Sequence, residues 1–174
     1  MKHGLHFAFF GSSLVSAYWN GAATYYRGII HALARRGHRI TFYEPDIYER
    51  QKHRDIDDPP WAKVVVYPGG SERAVWQAVE EASVADFVIK LSGVGEFDEL
   101  LEYACLRPQS PKTTVIFWDV DAPSTLERLA ANPADPFRPL ISQYDLVLTY
   151  GGGDPVVRAY TQFGARRCIP STTR

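Results

Sequence analysis

Cysteine, methionine and surplus charge are all scarce in this chain of 174 residues, which has two cysteines, one methionine and a formal net charge of −1. The near balance of charge removes any global electrostatic case for binding nucleic acid or an anionic membrane. Local basic clusters, "ARRGHR" and "ARR", fall at the C-terminal ends of helical patterns, where arginine complements the helix dipole. Cys105 and Cys168 lack the short spacing of a thiolate metal site and read as two buried thiols in a reducing cytoplasm. The five histidines (His3, His6, His31, His38, His53) are scattered, and no metal is expected. No apolar run is long enough to span a membrane. The N-terminal "LHFAFF" stops at Gly11 without a leader-type cleavage region and reads as a first strand. Also missing are G-x-G-x-x-G, the phosphate-loop pattern G-x-x-x-x-G-K-[ST] and G-x-S-x-G. Their absence disfavours a dinucleotide-binding Rossmann domain, a P-loop NTPase and a nucleophile-elbow hydrolase in turn.

What the chain does have is a regular alternation. Apolar runs of strand length ("LHFAFF", "RITFYE", "KVVVYP", "DFVIKLS", "TTVIFW", "DLVLTY", with a possible last one at "RCIP") alternate with helical patterns. Several runs are apolar nearly throughout, as strands covered on both faces must be. In "AATYYRGIIHALARRG", Ala22, Tyr26, Ile29, Ile30 and Leu33 share one stripe, and Gly37 supplies a left-handed stop. Ser71 is placed to cap the next helix, whose buried face is Val75, Ala78, Val79 and Ala82. The alternation predicts one Rossmann-like domain over residues 1–174. It is α/β and doubly wound, with a mostly parallel sheet of six or seven strands and helices on both faces. The polar stretch 46–60 has neither period and reads as a surface excursion.

Ligands of such sheets sit outside the carboxyl ends of the strands, near a topological switch point, so the strand-end loops carry the functional information. After the first strand come Gly11, Ser12 and Ser13, then Asn20-Gly21. Asn20 is a good N-cap, and Gly21 lets another group approach the backbone. Gly28, inside the first helix, reads as a point of close packing against the sheet. "YGGGDP" places Gly151, Gly152 and Gly153 where positive φ is available, with Asp154 as a cap and Pro155 at the first helical position. "SGVGE" makes a tighter turn with Ser92, Gly93 and Gly95.

The most chemical of these loops is "FWDVDAP". Asp119 and Asp121 resemble the phosphoaspartate pair of haloacid-dehalogenase-type phosphatases, but Pro123 replaces the expected Thr or Val. No lysine follows Lys112, and the motif comes after four strands instead of opening the domain. A D-x-D also resembles the metal-holding pair of single-domain sugar-nucleotide transferases. Carboxylates alternate in extended chain, however, and would share an ion only across a turn. In a third reading Asp121 or Ser124 caps the next helix while Asp119 bonds loop amides.

One ordered set of segments goes further. "NGAATYYRGIIHALARRGHRITFYEPD" resembles the first-helix region of GT-B glycosyltransferases, a glycine turn before a helix that ends in leucine, basic residues and "RGH". With "FFGSSL", "IFWDVDAP" and "DLVLTYGGGDPVVRAYTQFGARRCIP", nearly the whole chain resembles the N-terminal domain of the CgeB-like (spore-maturation) branch. The resemblance implies the acceptor-side half of a two-domain enzyme that transfers sugar from a nucleotide donor. The donor-binding C-terminal domain is not within these residues, and the sequence stops about where a linker to it would begin. No cofactor is then expected on this half alone, and a complete catalytic cycle by this chain is not expected. The partners implied are a small-molecule or glycan acceptor and the missing domain, or a second copy associating through the same face. By the same resemblance Gly11, Ser12, Ser13, Asn20 and Gly21 would line the interdomain cleft, with Gly21 near a diphosphate. Asp119 and Asp121 would share its rim, one as general base. Gly151, Gly152, Gly153 and Asp154 would border the domain junction, and Trp19 or Trp118 would stack on a sugar.

Overall fold

The computed structural model describes residues 4–171. Seven strands form one sheet: β1 (His6–Phe10), β2 (Arg39–Asp46), β3 (Lys63–Pro68), β4 (Phe87–Leu91), β5 (Thr114–Asp119), β6 (Leu146–Thr149) and β7 (Cys168–Pro170). Their spatial order is β3-β2-β1-β4-β5-β6-β7, and every neighbouring pair is parallel. The expected doubly wound α/β sheet is therefore present, with seven strands and no antiparallel member. The chain enters at β1 and winds outward to β3. It then crosses back to β4 on the other side of β1, so the switch point lies between β1 and β4.

Alternate residues of the strands feed two cores. Phe9, Ile40, Phe42, Ile89, Leu91, Ile116 and Trp118 face α1 (Ala23–Arg35), which contributes Tyr26 and Ile30. Burying each of those two helix side chains contributes about 1.5–3 kcal/mol. On the opposite face, Ala8, Phe10, Val88, Val115, Phe117 and Val147 meet the other five helices. These are α2 (Glu72–Ala82), α3 (Asp98–Ala104), α4 (Ala122–Ala131), the single turn α5 (Arg138–Ile141) and α6 (Gly153–Gln162). Both faces carry helices, but very unequally. The β2–β3 connection, residues 47–62, contains no helix, and α1 alone packs on its face.

Local signals explain two helix ends. Gly37, at φ +86°, ends α1, donating from its N–H to the Ala34 carbonyl (2.9 Å). The Ser71 hydroxyl accepts from the Ala74 N–H (3.2 Å) and starts α2. Two expectations fail. Asn20 does not cap α1, which begins at Ala23 with no side-chain cap, because the Asn20 side chain is spent on the loop before it. Asp154 does not cap α6, which starts one residue earlier at Gly153, behind Gly152 in a left-handed conformation.

Glycine positions give a pair of predictions of opposite sign. A Cβ on Gly11 would lie 2.5 Å from Phe42 Cζ and 2.6 Å from Leu91 Cδ1, inside the core. Gly11→Ala is expected to cost about 2 kcal/mol by overpacking. Gly28, expected to pack closely, instead faces solvent with nothing within 4 Å of an added Cβ. Gly28→Ala is therefore expected to stabilise α1 by about 0.5–1 kcal/mol. Urea unfolding of the two variants checks both signs.

Candidate functional site

At the switch point the loops after β1, β4 and β5 diverge and leave a cleft of about 370 Å³. The β1 loop supplies Ser12, Trp19, Asn20 and Gly21, and α1 adds Tyr26. From the β4 loop and α3 come Ser92, Gly93, Asp98 and Glu102. Asp121, Ser124, Thr125 and Arg128 reach it from the β5 loop and α4, and Arg50 enters from the segment after β2.

A dense set of buried hydrogen bonds fixes the β1 loop. Asn20 accepts from the Ser12 hydroxyl (2.8 Å) and donates to the carbonyls of Ser13 (2.8 Å) and Ser16 (3.1 Å). Glu44, fully buried at the end of β2, accepts from the Ser13 hydroxyl, the Leu14 N–H and the Gln51 amide at 2.6–2.9 Å. Arg50, also buried, donates to the carbonyls of Ser12 (3.1 Å), Val94 (3.3 Å) and Trp19 (3.3 Å), tying the β1 loop to the β4 loop. Such a wall is held rigid before any ligand arrives, which lowers the entropy lost on binding.

Beneath the cleft runs a chain of charges. Lys90, 1 % exposed on β4, donates to Asp98 Oδ1 (2.6 Å), and Asp98 also accepts from the N–H groups of Val94 and Gly95. Burial acts to raise the Asp98 pKa, but the Lys90 ammonium and these bonds outweigh it and hold the carboxyl below its ordinary value. One turn further along α3, Glu102 is 3 % exposed and accepts from Arg128 (3.0 Å), which also pairs with Asp135. Burial pushes Glu102 above its ordinary value, against the opposing charges of Lys90 and Arg128.

Four buried polar atoms of lining residues lack a hydrogen bond; Arg128 Nε still faces Asp135 as an ion pair (3.4 Å), which leaves Tyr26 Oη, Arg50 Nε and Glu102 Oε2 with no protein partner. Buried polar groups are normally satisfied, so three orphans around one cavity mark a place where water or a ligand completes the bonding. Among the charged lining residues, acids outnumber bases by three to two, which does not favour a phosphate. Among the described residues no group of three or more His, Cys, Asp or Glu side chains could hold a metal ion.

The expected site residues divide. Ser12, Asn20, Gly21 and Asp121 line the cleft, whereas Gly11 and Ser13 are buried behind it. Asp119, expected on the rim, has no exposure. Its Oδ2 accepts from Tyr160 and its Oδ1 from the Asp121 N–H (3.0 Å), so it holds the strand end to α6 and bonds a loop amide. Asp121 stands at the N-cap position of α4 without a side-chain cap bond and is exposed. Trp118, expected against a sugar, is buried against Tyr25 and Tyr26, while Trp19 is 79 % exposed at the mouth of the cleft. Gly151, Gly152 and Gly153 all adopt positive φ (71°, 77° and 52°) but, with Asp154, lie outside the cleft lining. Arg50, Glu102 and Asp98 carry no mark of a site in the sequence reading, and Tyr26 enters it only as part of the buried stripe of α1. A charged residue inside an apolar period, such as Glu102 in "DELLEYACL", was the available signal.

Compared with known proteins, the chain matches no family model and no curated sequence.

Proposed function

We propose that this domain binds the hydroxyl-bearing acceptor in a sugar transfer of the GT-B type, with the nucleotide donor held by a second domain. The observation that carries the reading is the set of three unpartnered buried atoms, Tyr26 Oη, Arg50 Nε and Glu102 Oε2, around a cleft also lined by Ser12, Ser92, Ser124 and Thr125. A polyol presents donors and acceptors at closely spaced positions and suits such a mixed lining, whereas a diphosphate would meet an excess of carboxylates. The position of the cleft beyond the carboxyl ends of β1, β4 and β5 supports the same reading. Asp121 and Glu102 are the acids placed to accept a proton from an acceptor hydroxyl.

The test is ligand-observed NMR with a panel of mono- and disaccharides, alongside calorimetry with UDP- and GDP-sugars. Saccharide binding in the millimolar range is expected, weakened about tenfold by Glu102→Gln, since one hydrogen bond to a charged group is worth about 1.5–3 kcal/mol. Micromolar binding of a nucleotide sugar by this chain, or no saccharide binding at all, would overturn the reading.

A further inference from the structure

Outside the cleft, and sharing Trp19 and Arg50 with it, lies a second open groove of about 500 Å³ lined by Tyr18, Trp19, Tyr48, Glu49 and Arg50. Four non-glycine residues among those described have positive φ, and three of them, Trp19 (49°), Tyr48 (55°) and Glu49 (56°), belong to this groove. Bulky side chains adopt that conformation only where the surroundings enforce it, and such strain concentrates at ligand sites. Here the enforcing contacts are visible. The Trp19 carbonyl accepts from the buried Arg50 guanidinium (3.3 Å), and the Tyr48 hydroxyl donates to the Gly95 carbonyl (3.0 Å). The backbone is pinned while the indole is left almost wholly in water.

We propose that Trp19 is the stacking platform of a second sugar-ring subsite, so that the acceptor is a glycan or glycoside of at least two units, the inner ring in the cleft and the next against Trp19 and Tyr48. This rests on the reading of the cleft as an acceptor site. Every exposed large apolar side chain in the groove is aromatic (Tyr18, Trp19, Tyr48). The exposed aliphatics Leu5, Val66, Val84 and Ile169 do not line it. Flat aromatic faces flanked by a carboxylate and a guanidinium fit a pyranose ring, with its C–H face on the indole and its hydroxyls toward the charged groups. Continuity with the cleft through Trp19 and Arg50 sets the second ring one unit from the first.

The test follows the Trp19 indole N–H signal by ¹H–¹⁵N NMR, assigned with Trp19→Phe, during titration with matched mono-, di- and trisaccharides of gluco, galacto and manno configuration. The signal is expected to move several times further with a di- or trisaccharide than with its monosaccharide. Trp19→Ala is expected to weaken the longer ligands at least tenfold, and Trp19→Phe to retain most of the affinity. If monosaccharides bind in the cleft but longer ligands gain nothing and Trp19→Ala changes nothing, the subsite is refuted and the cleft reading stands. If no saccharide of any length binds, both fall. A Trp19 signal that shifts with protein concentration alone would make the groove a contact between copies and overturn the subsite.

Discussion

Asp98→Ala is expected to lower the stability of the domain by about 3 kcal/mol at neutral pH, among the largest effects of any single substitution outside the apolar core. Lys90 is almost completely buried, and Asp98 is the acid within bonding distance of its ammonium. Removing the carboxylate strands that charge and also orphans the N–H groups of Val94 and Gly95, which turn the β4 loop into α3. Replacing both partners, as in Lys90→Met with Asp98→Asn, is expected to recover a large part of the loss, because no uncompensated charge remains. The pH dependence has a definite sign. Asp98 is held below its ordinary value of 3.8, so its contribution is complete above that value and disappears as pH falls through the lower folded value. The advantage of the wild type over Asp98→Ala should therefore be full at pH 7 and shrink below pH 4. Glu102 works the other way: its pKa is raised by burial, so keeping it ionised costs stability as pH rises past 4.5. Urea midpoints of wild type, Asp98→Ala and Glu102→Gln at pH 3 to 7 separate the two contributions.

The fold was readable because it depends on periodicity, and the apolar runs and amphipathic helices fall where the strands and helices form. Helix ends governed by one local interaction, Ser71 and Gly37, were readable for the same reason. The site was only partly readable. Ser12, Asn20, Gly21 and Asp121, which lie in the loops the strand-end rule selects, line the cleft, yet the role of Asn20 depends on the folded shape of its own loop and that of Asp119 on Tyr160, 41 residues away. Asn20 looked like a cap because the residue type suits one, and only the folded β1 loop shows its amide bonded to Ser12, Ser13 and Ser16. Arg50 lay in a stretch without periodicity and read as surface. It is buried because three carbonyls converge on it from loops 31 to 44 residues away. Long-range polar convergence of this kind leaves no local pattern in the sequence.

Asp119 gives the sharpest separation between a structural and a chemical role. A base or nucleophile must reach the reacting atom, but both oxygens of Asp119 are engaged and the residue has no exposure. Asp119→Ala leaves the Tyr160 hydroxyl and the Asp121 N–H without an acceptor in a dry environment, at an expected cost of about 3 kcal/mol. Tyr160→Phe removes the donor and leaves a buried carboxylate oxygen unpaired, at about 2 kcal/mol. The double variant should cost clearly less than the two together, because the orphaned hydroxyl that dominates the first is gone. Burial raises the Tyr160 hydroxyl pKa, with the Asp119 charge adding to it, so this phenol stays protonated and donates throughout the accessible pH range. Asp119→Asn should be the mildest change, since an amide can donate to the Tyr160 oxygen while its carbonyl accepts from Asp121. Measured below its melting transition, Asp119→Asn should bind saccharide within twofold of wild type, whereas Asp121→Ala should keep wild-type stability and lose affinity. Chemical denaturation paired with saccharide titration on wild type, Asp119→Asn and Asp121→Ala decides the point. Loss of binding in a fully folded Asp119→Asn variant would return that acid to the chemistry.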